Sequence, residues 1–339
     1  MSTLTTPATR STETGLTAAQ NAAVVCDLAP LGIISISGTD AGVFLQGQLS
    51  ADVIGLPPGE CRYGSFNSPK GRMLANFVLW RHQAAEDDFC LLLPMELVAP
   101  IAKRLAMYRL RAKASIADVS SHTLRLGIGG PEGHRALNAA FGVAPAPFES
   151  TTVGDATLLG LPGPRFIVLV PQASADATRE KISAHAASGE FDVWQWLTIR
   201  AGVPVITAVT QDSLVAQTAN WDVLGGIDFK KGCYTGQEII ARMQYLGRLK
   251  ERTFLFHADV TLVTSGERIF SAAFAEQPCG TVINSASAPG GGCDLLAVLQ
   301  ISAAELGDAR LGSPNGPPLM ALPLPYAIPA GVAPRGRSA

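Results

Sequence analysis

Residues 230–246 read K-K-G-C-Y-T-G-Q-E-I-I-A-R-M-Q-Y-L, the most unusual local sequence in the chain. Thr235 and Glu238 have the spacing of a capping box, in which two side chains satisfy free N–H groups at the start of a helix. We therefore expect a helix that begins near Gly236 and continues to about Leu246. Its buried stripe is predicted from apolar residues at helical spacing, namely Ile239, Ile240, Met243 and Leu246.

Cys233 lies just before the start of this predicted helix. The partial positive charge of a helix N-terminus, together with Lys230 and Lys231, favours thiolate over thiol. Gly232 and Gly236 on either side permit a ligand or another backbone to come close to the sulfur. A lone cysteine is more often a small buried hydrophobe, so the residues leave both a reactive thiol and a packed one open.

Composition and charge restrict the class of protein. The chain has 339 residues, of which 47% are hydrophobic and 16% charged, so two or three folded units are expected. A net charge of −2 argues against a protein whose main work is holding a nucleic-acid backbone by bulk electrostatics, although a local basic patch is allowed. No apolar run has the length of a membrane span.

The cysteines and the N-terminus indicate the compartment. Six cysteines are dispersed without metal-ligand spacing, so no metal site is predicted. The first residues are polar and rich in threonine, unlike a secretory signal or a transit peptide. We expect a cytoplasmic protein with reduced thiols.

Strand and helix patterns alternate through the first third of the chain. The apolar run at residues 31–37 predicts a strand, and Asp40 is placed to cap a following helix. A turn-rich stretch at residues 67–71 and an apolar run at 89–93 predict antiparallel strands. Residues 96–109 carry apolar side chains at helical spacing, which predicts an amphipathic helix over a sheet.

The later part of the chain changes character. Residues 166–170 predict a strand and residues 175–187 a helix. From about Arg252, short apolar runs broken by glycine and proline favour a small all-β domain. The glycine triplet at residues 290–292 lacks the surroundings of a phosphate-binding loop and is interpreted as a hairpin end.

The stretch K-G-C-Y-T-G-Q-E at residues 231–238 resembles the signature of the YgfZ family of folate-binding proteins. Other segments match the family in the same order, over roughly residues 25–310. They are G-T-D-A at 38–41, F-L-Q-G-Q at 44–48, D-V at 52–53, S-P-K-G-R at 68–72, A-G-V-P at 201–204 and L-G-G-I at 224–227.

The resemblance implies an α+β fold related to the aminomethyltransferase of the glycine cleavage system. In that fold, mixed α/β folate-binding units are followed by a small C-terminal β-barrel. The expected organisation is a flexible tail at 1–20, a folate-binding region at 21–245 that divides near 120–150, a β-barrel at 246–312 and a proline-rich tail at 313–339.

The resemblance also implies a function. Family members are similar to tetrahydrofolate-binding accessory proteins that support iron–sulfur cluster assembly or repair, and so affect tRNA modification by cluster enzymes indirectly. The implied cofactor is tetrahydrofolate or a derivative, and the implied partners are iron–sulfur enzymes or assembly proteins. Neither direct sequence-specific nucleic-acid binding nor membrane association is expected.

Cys233 is the key residue of this hypothesis. Lysine and arginine side chains suit the glutamate tail of a folate or an anionic partner, and amides suit the edge of a pterin. For each cation singly, an ordinary solvated role stays open, and Asn220 is equally suited to capping a turn. The cofactor-binding candidates are Lys70, Arg72, Gln217, Asn220, Lys231, Tyr234, Gln237, Glu238 and Arg242.

Two departures from the aminomethyltransferase pattern bear on activity. Ala75-Asn76 stands where that family has an acidic pair, and Arg200 corresponds to its pterin-binding glutamate. An uncharged pair cannot act as a carboxylate base, which argues against ordinary aminomethyl transfer. One alternative is a folate-dependent aminomethyltransferase or demethylase acting on a small amine, which needs a carboxylate such as Asp40 or Asp228. The other is a non-catalytic adaptor whose cysteine is packed.

Overall fold

A computed structural model describes residues 7–82, 87–245 and 249–328. The chain divides into two compact units. The first comprises Met1–Gln46, Asp52–Arg62 and Phe77–Leu197, and the second comprises Gly47–Ala51, Tyr63–Asn76 and Thr198–Ala339. None of the helices in the described ranges combines the length and apolar character needed to cross a membrane.

The helices are short and are spread along the described chain. They are α1 (Pro7–Asn21), α2 (Ala41–Gln46), α3 (Met95–Arg109), α4 (Gly133–Phe141), α5 (Ala175–Ser183), α6 (Phe191–Arg200), α7 (Gln237–Tyr245) and α8 (Ile301–Leu306).

One sheet lies entirely in the first unit and has the order β11-β1-β7-β10-β9-β8. Its strands are β1 (Val24–Asp27), β7 (Thr123–Gly129), β8 (Ser150–Val153), β9 (Ala156–Leu161), β10 (Arg165–Pro171) and β11 (Ala187–Gly189). Strand β11 runs parallel to β1, and the other pairs of known register are antiparallel. Alternate residues of β7 and β10, such as Ile128 and Val168, form a core with Leu137 of α4.

A second sheet has the order β3-β4-β5-β2-β6. Its strands are β2 (Leu31–Ser37), β3 (Cys61–Asn67), β4 (Met73–Arg81), β5 (Asp88–Pro94) and β6 (Ser115–Asp118). Helix α3 packs on β2, β5 and β6 because Leu97, Val98, Ile101 and Leu105 form one apolar stripe.

The third sheet belongs to the second unit and has the order β16-β13-β14-β15-β12-β17. Its strands are β12 (Glu251–Ala258), β13 (Arg268–Phe270), β14 (Gly280–Ser287), β15 (Cys293–Gln300), β16 (Arg310–Leu311) and β17 (Met320–Leu322). All its paired strands are antiparallel, and the sheet curls into a half-barrel around buried Leu295, Ala297 and Leu299 of β15.

The predicted α+β class, with a curled antiparallel sheet at its C-terminal side, is confirmed. Predicted segments at residues 31–37, 89–93 and 96–109 correspond to β2, β5 and α3. Residues 290–292 join β14 to β15, as expected of a hairpin end. The helix predicted at 175–187 is shorter, because α5 ends at Ser183 and residue 187 begins β11.

Both expected tails contain ordered structure and need correction. Helix α1 occupies Pro7–Asn21, and its Leu16 and Ala19 are buried. At the other end, Leu319 is buried and the Tyr326 hydroxyl donates to the Gly202 carbonyl at 2.7 Å. Apolar side chains that reach a core account for both differences. Residues 1–6 and 329–339 lie outside the described residues, and the other predicted boundaries stay predictions.

Candidate functional site

The K-G-C-Y-T-G-Q-E segment forms an irregular loop in the second unit that leads into α7. The Gln237 amide N–H donates to the Tyr234 carbonyl at 3.1 Å, and the Tyr234 N–H donates to Gln237 Oε1 at 3.3 Å. These reciprocal bonds replace the capping box expected between Thr235 and Glu238. The cause is the backbone of Gly236, whose φ is +81°. This conformation places Gly236 in a turn that precedes the helix, and not in the first turn of the helix.

Two glycines bring the S-P-K-G-R turn against the cysteine motif. A Cβ added to Gly236 would lie 2.4 Å from the Ser68 carbonyl oxygen and 3.0 Å from Gly71 Cα. A Cβ on Gly71, whose φ is +70°, would lie 2.9 Å from Ile239 Cβ. Neither glycine can be replaced without moving backbone, so two motifs distant in sequence form one packed structure.

Cys233 is exposed, whereas the chain's other five cysteines are buried. No described atom lies within 4 Å of the position that a Cβ on Gly232 would take, so the loop beside the thiol is open. Burial raises the pKa of Cys26, Cys61 and Cys90 to about 12, which suppresses their thiolates. The alternative in which Cys233 is packed in a core is therefore wrong.

Lys231 fastens the motif to the segment that follows α2. Its ammonium group donates to the carbonyl oxygens of Leu49 and Ala51, the latter at 2.9 Å, and lies 4.9 Å from the centroid of the Tyr234 ring. Its backbone N–H donates to Asp228 Oδ1 at 3.0 Å. These contacts use the charge of Lys231 to position the loop that carries Cys233.

The two predicted amide side chains, Gln217 and Asn220, are buried and form hydrogen bonds that connect parts of the fold. Gln217 Nε2 donates to the Ile240 carbonyl at 2.6 Å, which ties it to α7. Asn220, at a φ of +57°, donates to the Thr253 carbonyl at 2.8 Å. Asn220 therefore joins its turn to β12, while Gln217 keeps an amide oxygen that has no partner among the described residues.

The predicted cations at the surface lie near the packed motifs. Lys70 and Arg72 flank Gly71 and are exposed, and Arg72 Nη1 donates to the Ser213 carbonyl at 2.5 Å. Glu238 and Arg242 are exposed on α7, and within the described chain no salt bridge joins them. The structure thus places Lys70, Arg72 and the cysteine motif together.

Asn76, one of the two residues compared with the acidic pair, has a structural role. Its side chain is 4% exposed, its Nδ2 donates to the Pro204 carbonyl at 2.7 Å, and its Oδ1 accepts from the Ile206 N–H at 2.8 Å. Asn284 makes the same two bonds to the N–H and carbonyl of Val205, at 2.7 and 2.9 Å. Two amides thus clamp residues 204–206, and a carboxylate cannot donate to Pro204.

Arg200 is also committed to a structural contact. Its guanidinium lies 3.5 Å from Asp294 Oδ2, and Asp294 Oδ1 lies 2.8 Å from His257 Nδ1. Asp294 is 4% exposed, and no local pattern in the sequence indicates this cluster. An arginine at this position thus pairs with a carboxylate of the half-barrel.

The two carboxylates considered as substitutes for the acidic pair each accept a hydrogen bond from a backbone N–H group. Asp40 Oδ2 accepts the Lys113 N–H at 2.7 Å, so Asp40 does not cap α2 with that oxygen. Asp228 Oδ1 accepts the Lys230 N–H at 2.7 Å. In the described ranges, no three His, Cys, Asp or Glu side chains come together as a metal site.

The second unit contains several buried polar side-chain atoms that have no hydrogen-bond partner within the described chain. Each such atom costs about 1–3 kcal/mol if nothing satisfies it, so native proteins normally provide a ligand or water. The atoms are Gln48 Oε1, Asn67 Nδ2 and Oδ1, Gln217 Oε1, Trp221 Nε1, Tyr234 Oη and Arg252 Nε.

Strand geometry places three of these groups on one face of β3. Leu49 bridges Phe66 in antiparallel register, which sets Gln48 opposite Asn67. Side chains of Tyr63 and Asn67 share that face because residues two apart point the same way. Trp221 packs on Tyr63 at a ring-centroid distance of 5.2 Å. Amide, indole and aromatic groups are therefore spread over roughly 13 Å along one face of β3, where they offer polar atoms and ring faces to a flat polar ligand.

Burial also affects the phenol of the cysteine motif. Tyr234 is 7% exposed, and its hydroxyl is one of the unpartnered groups. Desolvation and the nearby Asp228 carboxylate raise the pKa of Tyr234 above its usual range, so it stays a neutral donor. Among the buried predicted residues, Tyr234 and Gln217 each keep a polar atom without a partner in the described chain, and sequence reasoning missed Gln48, Asn67 and Trp221.

Comparisons with known proteins agree with this architecture. The family model for the GCVT N-terminal domain matches residues 5–167. The "tRNA-modifying protein YgfZ" of Shigella sonnei is 32% identical over 239 residues, which cover 69% of this chain and 72% of that protein. The chain belongs to the YgfZ family. A YgfZ relative from Colwellia psychrerythraea is 29% identical over 278 residues and covers 80% of this chain and 84% of its own.

A solved structure shows the shared fold. The glycine cleavage system aminomethyltransferase T from Bartonella henselae superposes with a TM-score of 0.71 at 16% identity, over 85% of this chain and 81% of that one. This chain and the aminomethyltransferase therefore share a fold, as the family resemblance predicted.

Proposed function

We propose that this YgfZ-family protein binds tetrahydrofolate or a derivative in its second unit and supports assembly or repair of iron–sulfur clusters through Cys233. Its partners are iron–sulfur enzymes or assembly proteins, and it works in the cytoplasm. Its effect on tRNA modification is indirect and passes through enzymes that carry a cluster.

The observation that carries the folate assignment is the set of buried polar atoms without partners. A pterin ring presents alternating donors and acceptors along its edge and a flat face. Asn67 and Gln48 offer amide groups to such an edge, Trp221 and Tyr234 offer donors, and Gln217 offers an acceptor. When bound, a tetrahydrofolate supplies a carrier for one-carbon units.

The exposed cations beside this site suit the other end of a folate. Lys70 and Arg72 lie on the turn that contacts α7, and Arg242 lies on that helix. Carboxylates of a glutamate tail form charge-assisted hydrogen bonds with such groups. The three residues thus keep their predicted role as folate contacts.

Cys233 supplies the link to iron–sulfur chemistry. Its thiol is exposed, and the neighbouring Gly232 leaves room for a partner surface. Thiolate sulfur is the usual protein ligand of iron–sulfur clusters, so an accessible cysteine on an anchored loop suits contact with a cluster or a partner thiol. One-carbon transfer is disfavoured because Asn76 and Arg200 occupy the positions of catalytic and pterin-binding carboxylates.

Equilibrium titration with tetrahydrofolate and its 5-formyl derivative tests the folate assignment, with and without a small amine donor. We expect saturable binding and no turnover of the amine. Turnover would favour the aminomethyltransferase or demethylase alternative, and absence of binding to both folates would contradict the proposal.

The variant Tyr234→Phe separates ligand binding from stability. Because the Tyr234 hydroxyl has no partner in the described chain, its removal should leave the ligand-free unfolding midpoint unchanged or slightly raised. Folate affinity should fall by about 5- to 10-fold, the value of a single hydrogen bond. Tyr245→Phe is the matched control, since that residue is 69% exposed and should change neither quantity. Unchanged affinity in Tyr234→Phe would remove its assigned role.

Cys233→Ala tests the cluster role separately. We expect normal folding and nearly normal folate affinity, because the side chain is exposed. The variant should fail to restore iron–sulfur enzyme activity in cells that lack the protein. Full restoration would show that Cys233 is not the functional group, whatever the result of the folate titration.

A further inference from the structure

The end of α3 and the turn after it form a concentrated basic surface in the first unit. Residues 103–113 read K-R-L-A-M-Y-R-L-R-A-K, with five cations and no acid, in a chain whose net charge is −2. All five side chains are exposed except that of Arg104, which is half-buried. We call this surface the basic patch, and its cations are Lys103, Arg104, Arg109, Arg111 and Lys113.

The charges of the basic patch are not neutralised within the described residues. None of its five cations forms a salt bridge with a described acidic side chain. Arg109 donates to the Ala114 carbonyl at 3.2 Å, which steadies the turn without cancelling charge. The Asp40 carboxylate reaches Lys113 through the backbone N–H and not the ammonium group. The patch therefore presents net positive charge to solvent.

Large apolar side chains are interleaved with these cations. Met107 is 61% exposed, Tyr108 39% and Leu110 88%. The stripe of α3 that faces the sheet is a different one, ending at buried Leu105. The exposed side chains are thus additional to those that fold the helix, and they alternate with charge along the surface.

Leu110 is unfavourable for the folded chain in two ways. It has a φ of +45° and a ψ of −107° at the C-terminal cap of α3, a backbone conformation that glycine adopts much more readily than leucine. It is also 88% exposed, so burial of its side chain does not offset the backbone strain. Strained residues of this kind are concentrated at functional sites.

We propose that the basic patch binds single-stranded nucleic acid through its phosphates and through stacking of bases on the exposed side chains. Cations spaced among apolar side chains and the Tyr108 ring match the alternating phosphates and bases of a single strand. An interfacial membrane helix instead needs a separate apolar face, and the apolar face of α3 is already used against the sheet. The contact does not read sequence, because it is made to phosphates and base faces.

Fluorescence anisotropy with labelled RNA and DNA strands of identical sequence, about 20 nucleotides long, tests this proposal. Five phosphate contacts predict a slope of log affinity on log salt of about −3.5, which is roughly a 100-fold loss between about 50 and 200 mM salt. Comparison of the RNA with the DNA shows whether the sugar contributes.

The triple variant Lys103→Glu, Arg104→Glu, Arg111→Glu should weaken binding at least about 10-fold and reduce the salt slope by about two. The control variant changes three exposed cations elsewhere, Arg135→Glu, Lys181→Glu and Lys250→Glu, for the same change in net charge. It should retain most of the affinity. Equal weakening by both variants would overturn the proposal, because it would reveal attraction by net charge alone.

Leu110→Gly separates binding from folding. We expect an unchanged or raised unfolding midpoint, since glycine accepts a positive φ, together with weaker binding to the oligonucleotide. Circular dichroism checks that each variant is folded. Absence of oligonucleotide binding at low salt, or patch-dependent binding to phosphatidylglycerol vesicles without oligonucleotide binding, would overturn the assignment. Neither result would affect the folate proposal, whose residues lie in the second unit.

Discussion

Asn76→Asp tests whether the amide at this position is required by the fold. The change keeps the shape of the side chain and restores an acid at the position where the aminomethyltransferase pattern has one. Asn76 Nδ2 donates to the Pro204 carbonyl at 2.7 Å, so the new carboxylate would face an acceptor at hydrogen-bond distance. The bond survives only if the new carboxyl is protonated and donates in place of the amide.

The cost follows from the proton that the folded chain must hold. An aspartate in an unfolded chain has a pKa of about 3.9, and each pH unit above it costs about 1.4 kcal/mol to protonate. This gives an upper limit of about 4 kcal/mol at pH 7 and about 1.5 kcal/mol at pH 5. Breaking the bond instead leaves a buried acceptor at about 1–3 kcal/mol, so we expect a loss of about 2–4 kcal/mol at pH 7.

The sign of the pH dependence is specific. The folded-state pKa of the introduced carboxyl should exceed the unfolded value, so the variant regains stability as pH falls towards about 4 and loses it as pH rises. Thermal unfolding from about pH 5 to pH 8 measures this, and a loss of about 2–4 kcal/mol corresponds to roughly 5–15 °C. Asn138→Asp, at an exposed position on α4, is the matched control and should show neither effect. A midpoint equal to that of the unchanged chain at pH 7 would refute the clamp.

Three further outcomes are expected. Gly236→Ala should lower the free energy of unfolding by about 2 kcal/mol or more, because its Cβ would meet backbone at 2.4 Å. Gly232→Ala, the control, should be nearly neutral. Equal unfolding midpoints of the two variants would contradict the close contact. Alkylation near neutral pH, mapped by peptide mass spectrometry, should modify Cys233 ahead of the five buried cysteines, and uniform labelling would count against this. The Asp222 side chain is 9% exposed, and its carboxylate lies 2.6 Å from the Arg252 guanidinium. Arg252→Ala should therefore lower the free energy of unfolding by about 3–5 kcal/mol in denaturant titrations, because it leaves this carboxylate without its partner. A loss below about 1 kcal/mol would contradict this.

Local sequence patterns were sufficient for some of the regular elements. The apolar run of β2 and the apolar stripe of α3 depend on neighbouring residues, so the sequence predicted both. The start of α7 was predicted one residue early because Thr235 and Glu238 match a capping pattern, whereas the position of Gly236 against Ser68 requires a turn there. Tertiary packing overrode the local signal.

The site itself was only partly predictable. The family motif predicted Cys233 and Tyr234 as candidates, but it could not show that Lys231 bonds Leu49 and Ala51, since those carbonyls lie far away in sequence. Asn76 was recognised as a departure from an acidic pair. Its purpose depends on which backbone groups it faces, and that is fixed only by the fold.

The contact between Gly71 and Gly236 has a mechanical consequence. Flexible side chains accommodate small displacements by changing rotamer, but two main-chain segments in direct contact cannot adjust in this way. We therefore expect a displacement of the turn at Lys70–Arg72 to move the loop that carries Cys233 as well. Under the proposed function, folate binding at this turn and the reactivity of Cys233 are therefore expected to be coupled.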